Sequence, residues 1–257
     1  MTEPQSTAEL AFGSAAALKN LGVLAHKAFA IDEATLLRIR KRETHDEHSD
    51  MSQVWVKTSF GPLAMRTINL HALPDDIIVT AAEIKDIAVR AIAQAKSSDD
   101  SQDQEASLTA LPYRVHSQSS AGWPGFLPVL DGWQVIDYVP ASAFRTLEKQ
   151  ARAVATESSG PMGLPTSLLD QKVLSVRGGD ATASADTAGD DSQESSASVV
   201  DVTMRDVFAL CAMGFIPEQP DEKEPVRVSA KGRWHRLDGR FGSIFTLESF
   251  GVLPLLN

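Results

Sequence analysis

The sequence predicts an α+β protein of two small lobes, each a short antiparallel β-meander packed with amphipathic helices. Three observations lead there. Segments that alternate with period two, such as Val54, Val56 and Thr58 against Gln53, Trp55 and Lys57, recur in groups separated by turn residues. Segments with apolar residues at helical spacing, such as Ile84, Ile87, Ala88, Ala91 and Ile92, accompany each group. An acidic stretch poor in apolar residues, Lys96 to Ser107 (KSSDDSQDQEAS), divides the chain into lobes at 1–95 and 108–257, with 96–107 as the linker.

In the N-terminal lobe, Thr7 to about Lys27 is rich in Ala and carries Leu10, Ala17, Leu18, Leu21 and Ala25 near helical spacing, which predicts a helix interrupted by Gly13 and Gly22. Leu36 to Arg42 and Gln53 to Phe60 predict two strands of a hairpin, with the acidic segment Glu43 to Asp50 as its loop. Phe60-Gly61-Pro62 is turn chemistry, and Leu63 to Ile68 returns as a third strand. Thr80-Ala81-Ala82-Glu83 reads as a capping box, in which the hydroxyl and the carboxylate each satisfy a free backbone N–H where the helix over Ile84 to Ile92 begins.

The C-terminal lobe opens with an aromatic, Pro- and Gly-rich run from Trp123 to Trp133 that leads into a strand at Gln134 to Tyr138. Phe144, Leu147, Ala151 and Val154 mark an amphipathic helix over 142–155, and a short helix is expected near Pro165 to Asp170. Lys172 to Arg177 and Ser198 to Val202 predict two strands. The segment between them, 178–198, uses only Gly, Ala, Ser, Thr, Asp, Glu and Gln, has no side chain able to offset the entropy of ordering, and is expected to be a disordered loop. Thr203-Met204-Arg205-Asp206 starts a helix with Met204, Val207, Phe208 and Cys211 on its apolar face and Gly214 at its end. Val226 to Ser229, Arg233 to Leu237 and Ser243 to Leu247 form a second meander turning at Lys231-Gly232 and Asp238-Gly239. WVKTSFG at Trp55 to Gly61 and WHRLDGRFG at Trp234 to Gly242 echo one another, as a duplication would make them.

A length of 257 residues with 43% apolar composition is enough to fill a core, and no apolar run reaches the roughly 20 residues of a membrane-spanning helix. The N-terminus lacks the basic start of a secretory signal, and a single cysteine allows no internal disulfide, so a cytoplasmic protein is expected. The formal net charge of −10 is unevenly spread. Residues 43–50, 96–107 and 178–198 hold 13 of the 34 acidic residues and one of the 24 basic ones. The rest of the chain, with 23 basic and 21 acidic residues, is near neutral.

Val226 to Phe245 (VRVSAKGRWHRLDGRFGSIF), Met204 to Phe215 and Trp55 to Gly61 resemble an actinobacterial family of uncharacterised proteins, whose N- and C-terminal regions are joined by variable, often acidic loops. The shared motifs are structural (Gly, Trp, aromatic, turn), so the resemblance implies no activity and no site residue.

Few residues offer chemistry. His45-Asp46-Glu47-His48 has metal-ligand types but lies in a polar loop without the framework that fixes ligands, so no metal is expected. Cys211 reads as a small buried hydrophobe rather than a nucleophile. Gly160-Pro161-Met162-Gly163 and Arg177-Gly178-Gly179-Asp180 match no nucleotide-binding loop, and no cofactor is expected. The one local signal with a mechanism is the basic run in the last meander, where Arg227, Lys231, Arg233, Arg236 and Arg240, with His235, face only Asp238. The preceding order of helices and strands resembles a winged-helix domain, whose wing contacts nucleic acid backbone. The expectation is therefore a non-catalytic cytoplasmic protein acting through a protein partner as an interaction or accessory regulatory factor. The alternative is a nucleic-acid-binding module using Arg227, Lys231, Arg233, Arg236 and Arg240, and an enzyme of unknown type is the third reading. No membrane partner is expected, and the sequence leaves the oligomeric state open.

Overall fold

The computed structural model describes residues 6–42, 51–95, 106–123, 125–158, 166–178 and 199–248. Twelve strands and five of their helices carry the fold. The first half contains β1 (Ser6–Phe12), α1 (Ala15–Ile31), β2 (Leu36–Lys41), β3 (Met51–Lys57), β4 (Leu63–Leu73), β5 (Asp76–Thr80), α2 (Ala81–Ala95) and β6 (Tyr113–Ser117). The second contains β7 (Gln134–Pro140), α3 (Ala141–Ser158), α4 (Thr166–Leu169), β8 (Lys172–Arg177), β9 (Val199–Thr203), α5 (Met204–Ala212), β10 (Pro225–Lys231), β11 (Trp234–Gly239) and β12 (Gly242–Leu247).

Every strand pair among the described residues is antiparallel, and eight strands run side by side in the order β5-β2-β3-β4-β12-β11-β10-β7. The joint between the halves is short, with Leu63, Ala64 and Met65 of β4 opposite Phe245, Ile244 and Ser243 of β12. Around that joint the halves mirror each other. β5 flanks β2 as β7 flanks β10, β3 corresponds to β11, and β1 pairs with β6 as β9 pairs with β8, except that β1 also joins β4 while β8 and β9 form a separate two-stranded sheet. The tryptophan echo does not trace this symmetry rung for rung. Trp55 stands opposite Met65 inside the β4–β12 ladder, whereas Trp234 stands opposite Leu247 beyond it.

Alternation along the strands makes two faces. Leu37, Ile39, Val54, Val56, Leu237 and Ile244 point to one side, where they share a core with Leu18, Leu21 and Leu24 of α1, Ile84 of α2, Phe144 of α3 and Phe208 of α5. Trp55, Met65, Ile78 and Phe245 point to the other side and are covered by Trp123, Leu127, Leu130 and Trp133 from the strap that links the halves. The helices thus form one layer and the strap covers the opposite face.

Two expectations are corrected. Thr7 to Phe12 is strand rather than helix, because Ala8, Leu10 and Phe12 are buried with period two and β1 pairs with both β4 and β6. The helix starts only at Ala15, where the Ser14 hydroxyl accepts from the Ala17 N–H at 3.2 Å. The C-terminal strands do not form the free wing of a winged helix, since β10, β11 and β12 sit inside the eight-strand run between β7 and β4. Strands β5 and β6 were not expected. Gly22 also has a use other than interrupting a helix, since a Cβ there would meet the Ala88 methyl at 2.6 Å, and its absence lets α1 and α2 approach closely. Residues 43–50, 159–165 and 179–198, and with them the His45–His48 pair, the Gly160–Gly163 loop and nearly all of the acidic loop, lie outside the described residues.

Candidate nucleic-acid interface

Two groups of cations compete for this role, one on each face of the sheet. The first is the hairpin of β10 and β11. Opposite pairing of Arg227 with Asp238, Ser229 with Arg236 and Lys231 with Trp234 places those side chains together on the strap side. Their charges are partly spent inside the protein. Asp238 accepts from Arg227 at 3.0 Å through one oxygen and from Arg236 at 2.6 Å through the other. Arg236 also lies over the rings of Phe245 and Trp133, at 5.1 and 5.9 Å from their centroids. Lys231 donates to the carbonyl of Asp131, and Arg233 to that of Glu248. Arg240 is exposed beside the Phe241 ring and forms no ion pair with a described residue. His235 leaves this group, because its rung points to the helix side, where it is 3% exposed and faces Asp206.

The second group is the helix layer. Helices α1, α2, α3 and α5 contain eight Lys and Arg residues and five Asp and Glu residues. Two of the acidic ones, Glu148 and Asp206, are buried. Glu83 accepts from the His116 N–H at 3.0 Å and meets His116 Nδ1 at 2.7 Å, so it does not complete the predicted capping box, although Thr80 Oγ1 does accept from the Glu83 N–H. Lys19, Arg90 and Lys149 are exposed, Lys27 is half-buried, and none of the four forms an ion pair with a described residue. The solvent side of the layer is therefore cationic in a chain of net charge −10.

Between the two helix pairs is a cleft of ≈ 680 Å³ lined by Lys27, Phe60, Arg145, Glu148, Arg152 and Cys211. Burial works to raise the Glu148 pKa, but hydrogen bonds from Arg152 and Arg145 outweigh it and hold the carboxyl below its ordinary range. Cys211 is 3% exposed, and burial with the nearby Glu148 charge pushes its thiol far up. A thiol so held is a poor nucleophile at neutral pH. Arg145 is further engaged by the carbonyls of Pro217 and Ile216 at 2.8 and 2.7 Å. Glu148, Arg145 and Arg152 are thus locked into structure rather than aimed at a reacting group, while Lys27 lines the cleft without an ion pair to a described residue.

The hairpin is legible in the sequence because its cations are contiguous. The helix layer is not legible there, because its cations are spread over four segments. Arg145, Lys149 and Arg152 are recognisable as lying off the apolar stripe of their helix, but only the sheet topology puts all four helices on one side.

Residues 5–110 match a family described as a domain of unknown function (DUF8010), and residues 128–249 match a second domain of unknown function (DUF8185). No curated protein matches the chain in sequence. Among solved structures, the DNA polymerase sliding clamp of Bacillus subtilis has 11% identity and a TM-score of 0.50, and the DNA polymerase III subunit beta of Pseudomonas aeruginosa has 12% identity and a TM-score of 0.50. In both comparisons 96% of this chain is covered, and it spans 66% of the other chain's length. At this identity the likeness concerns the fold alone, a mixed α+β fold of two lobes with helices layered on antiparallel sheet.

Proposed function

We propose that this chain, with its DUF8010 and DUF8185 regions sharing one sheet, is a non-catalytic accessory protein that holds duplex nucleic acid against its helix layer and leaves the opposite face to protein partners. The observation that carries the reading is the charge of that layer, where Lys19, Arg90 and Lys149 are exposed and Lys27 is half-buried at the cleft, all from three helices on the same side of one sheet. Cations fixed on rigid helices suit phosphate backbone, which is read without sequence. The sliding-clamp fold of the compared structures supports the same direction by analogy. A cytoplasmic location is consistent with such a role.

The strap-side hairpin gives a second reading, favoured by Arg227, Lys231 and Arg236 sharing one face. Fluorescence anisotropy with mixed-sequence duplex DNA separates the two. A quadruple change of Lys19, Lys27, Arg90 and Lys149 to Ala is expected to abolish binding at ~200 mM salt and to lower the salt slope by about one unit for each phosphate that is no longer neutralised. The Arg227, Lys231 and Arg233 to Ala triple variant, which leaves Arg236 in place, is expected to bind as the parent does. Loss in this triple variant alone would transfer the interface to the hairpin, and no binding by the parent protein would reject both.

A further inference from the structure

The short joint between the halves leaves an opening in the sheet. β12 pairs with β4 only as far as Met65, and β1 takes up the same edge of β4 again only at Leu70. Arg66 to Ile68 therefore have a strand neighbour on the β3 side alone, the Asn69 carbonyl already accepting from the Gly13 N–H at 3.2 Å. At this opening is a cavity of ≈ 340 Å³ lined by Arg66, Arg236, Arg240, Asn20, Thr67 and Ser243, together with Met65, Phe241 and Gly242. No carboxylate is among the lining residues.

The three arginines arrive from different elements. Arg66 is on β4, its Nε donates to the Phe241 carbonyl at 2.5 Å, and its guanidinium lies 5.4 Å from the centre of the Phe215 ring. It forms no ion pair with a described residue, and burial lowers its pKa, as expected of a cation held without a counter-charge. Arg240, in the turn between β11 and β12, is exposed and likewise lacks an acidic partner among the described residues. Arg236, on β11, pairs with Asp238 and reaches Ser243 Oγ at 3.3 Å. Two uncompensated guanidinium groups, a third beside them and neutral donors from Asn20 and Thr67 surround a space near the lower end of small-ligand cavity sizes.

We infer that this opening is a binding site for a phosphoryl-class oxyanion, held by Arg66 and Arg240 with Arg236 as the third cation. Guanidinium forks match the geometry of a tetrahedral oxyanion, and a partly desolvated cation such as Arg66 gains most from an anion that neutralises it. The phosphoryl group belongs either to a free phosphate compound or to a nucleic acid backbone. This inference goes beyond the helix-layer reading and does not depend on it, because its test contains no nucleic acid in the first arm.

The test is thermal unfolding of the full chain with inorganic pyrophosphate against sodium chloride at equal ionic strength. Pyrophosphate at about ten times its Kd is expected to raise the Tm of the parent protein by about 3 °C. The rise is expected to be lost in Arg66→Gln and at least halved in Arg240→Gln, whose exposed site keeps the test valid if Arg66→Gln misfolds. An equal rise in the parent protein and Arg240→Gln would reveal a general salt effect and overturn the inference, as would no rise in the parent. In a second arm, duplex DNA is titrated into pyrophosphate-saturated protein. Weakened duplex binding identifies the site's phosphate as that of a nucleic acid backbone, and unchanged binding identifies a free phosphate compound.

Discussion

Asp206 ties the helix of the second half to its sheet through a single carboxylate. One oxygen accepts from the Thr203 N–H at 2.7 Å and from the Thr203 hydroxyl at 2.8 Å, which closes the N-terminus of α5. The other accepts from the Thr246 hydroxyl on β12 and lies 3.2 Å from His235 Nε2 on β11, a close approach without hydrogen-bond alignment. Asp206 is fully buried, and burial alone would raise its pKa. His235, Thr246 and the Thr203 N–H outweigh burial and hold it below the ordinary carboxylate range. A carboxyl depressed in the folded state contributes stability that is present above its unfolded pKa of about 3.9 and is lost as pH falls through the folded value. Asp206→Asn is therefore expected to cost about 3 kcal/mol at pH 7 in urea unfolding and to flatten the acid limb of the stability profile. An unchanged acid limb would show that other carboxylates govern it.

At the scale of elements, the β11–β12 hairpin is held by a close approach rather than by side-chain volume. The Phe241 N–H donates to the Phe215 carbonyl at 3.0 Å, and a Cβ on Gly239 would lie 2.6 Å from that same carbonyl oxygen. Gly239→Ala is expected to destabilise by about 2 kcal/mol, measured as a lower urea midpoint with an unchanged slope. Period and cap chemistry made most elements legible. Ile84 to Ile92, Phe144 to Val154 and Met204 to Cys211 form the helices their spacing implies, and the strands of the second meander are bounded by the turns that the glycines mark. The failures also have physical causes. Ala8 to Phe12 reads as helix by composition, yet alternates as strand once β4 and β6 are there to pair with it. β5 and β6 are five residues each, too short for a period to establish itself within the sequence. The cations of the helix layer were visible singly, but their common face depends on pairings between segments far apart in the chain.

For the whole molecule, the β4–β12 joint makes each half part of the other's core. Trp55 from the first half rests on Phe245 from the second, with ring centroids 5.1 Å apart, and α3 and α5 share one apolar cluster with α1 and α2. A fragment of residues 108–257 is expected to self-associate in size-exclusion chromatography, because it exposes the edge of β12 and the Phe245 ring. A monomeric, cooperatively folded fragment would show instead that the halves are independent. Charge acts at the same scale. Deleting residues 179–197 removes five acidic residues, and the shortened chain is expected to bind duplex more tightly in anisotropy, most of all at low salt. The most direct test of the helix-layer reading is hydrogen–deuterium exchange with and without a mixed-sequence duplex at ~50 mM salt. Slowed exchange is expected in peptides from 15–31, 81–95 and 141–158, with the strap at 125–133 unchanged. Protection confined to 225–240, or no protection in any helix, would contradict that reading.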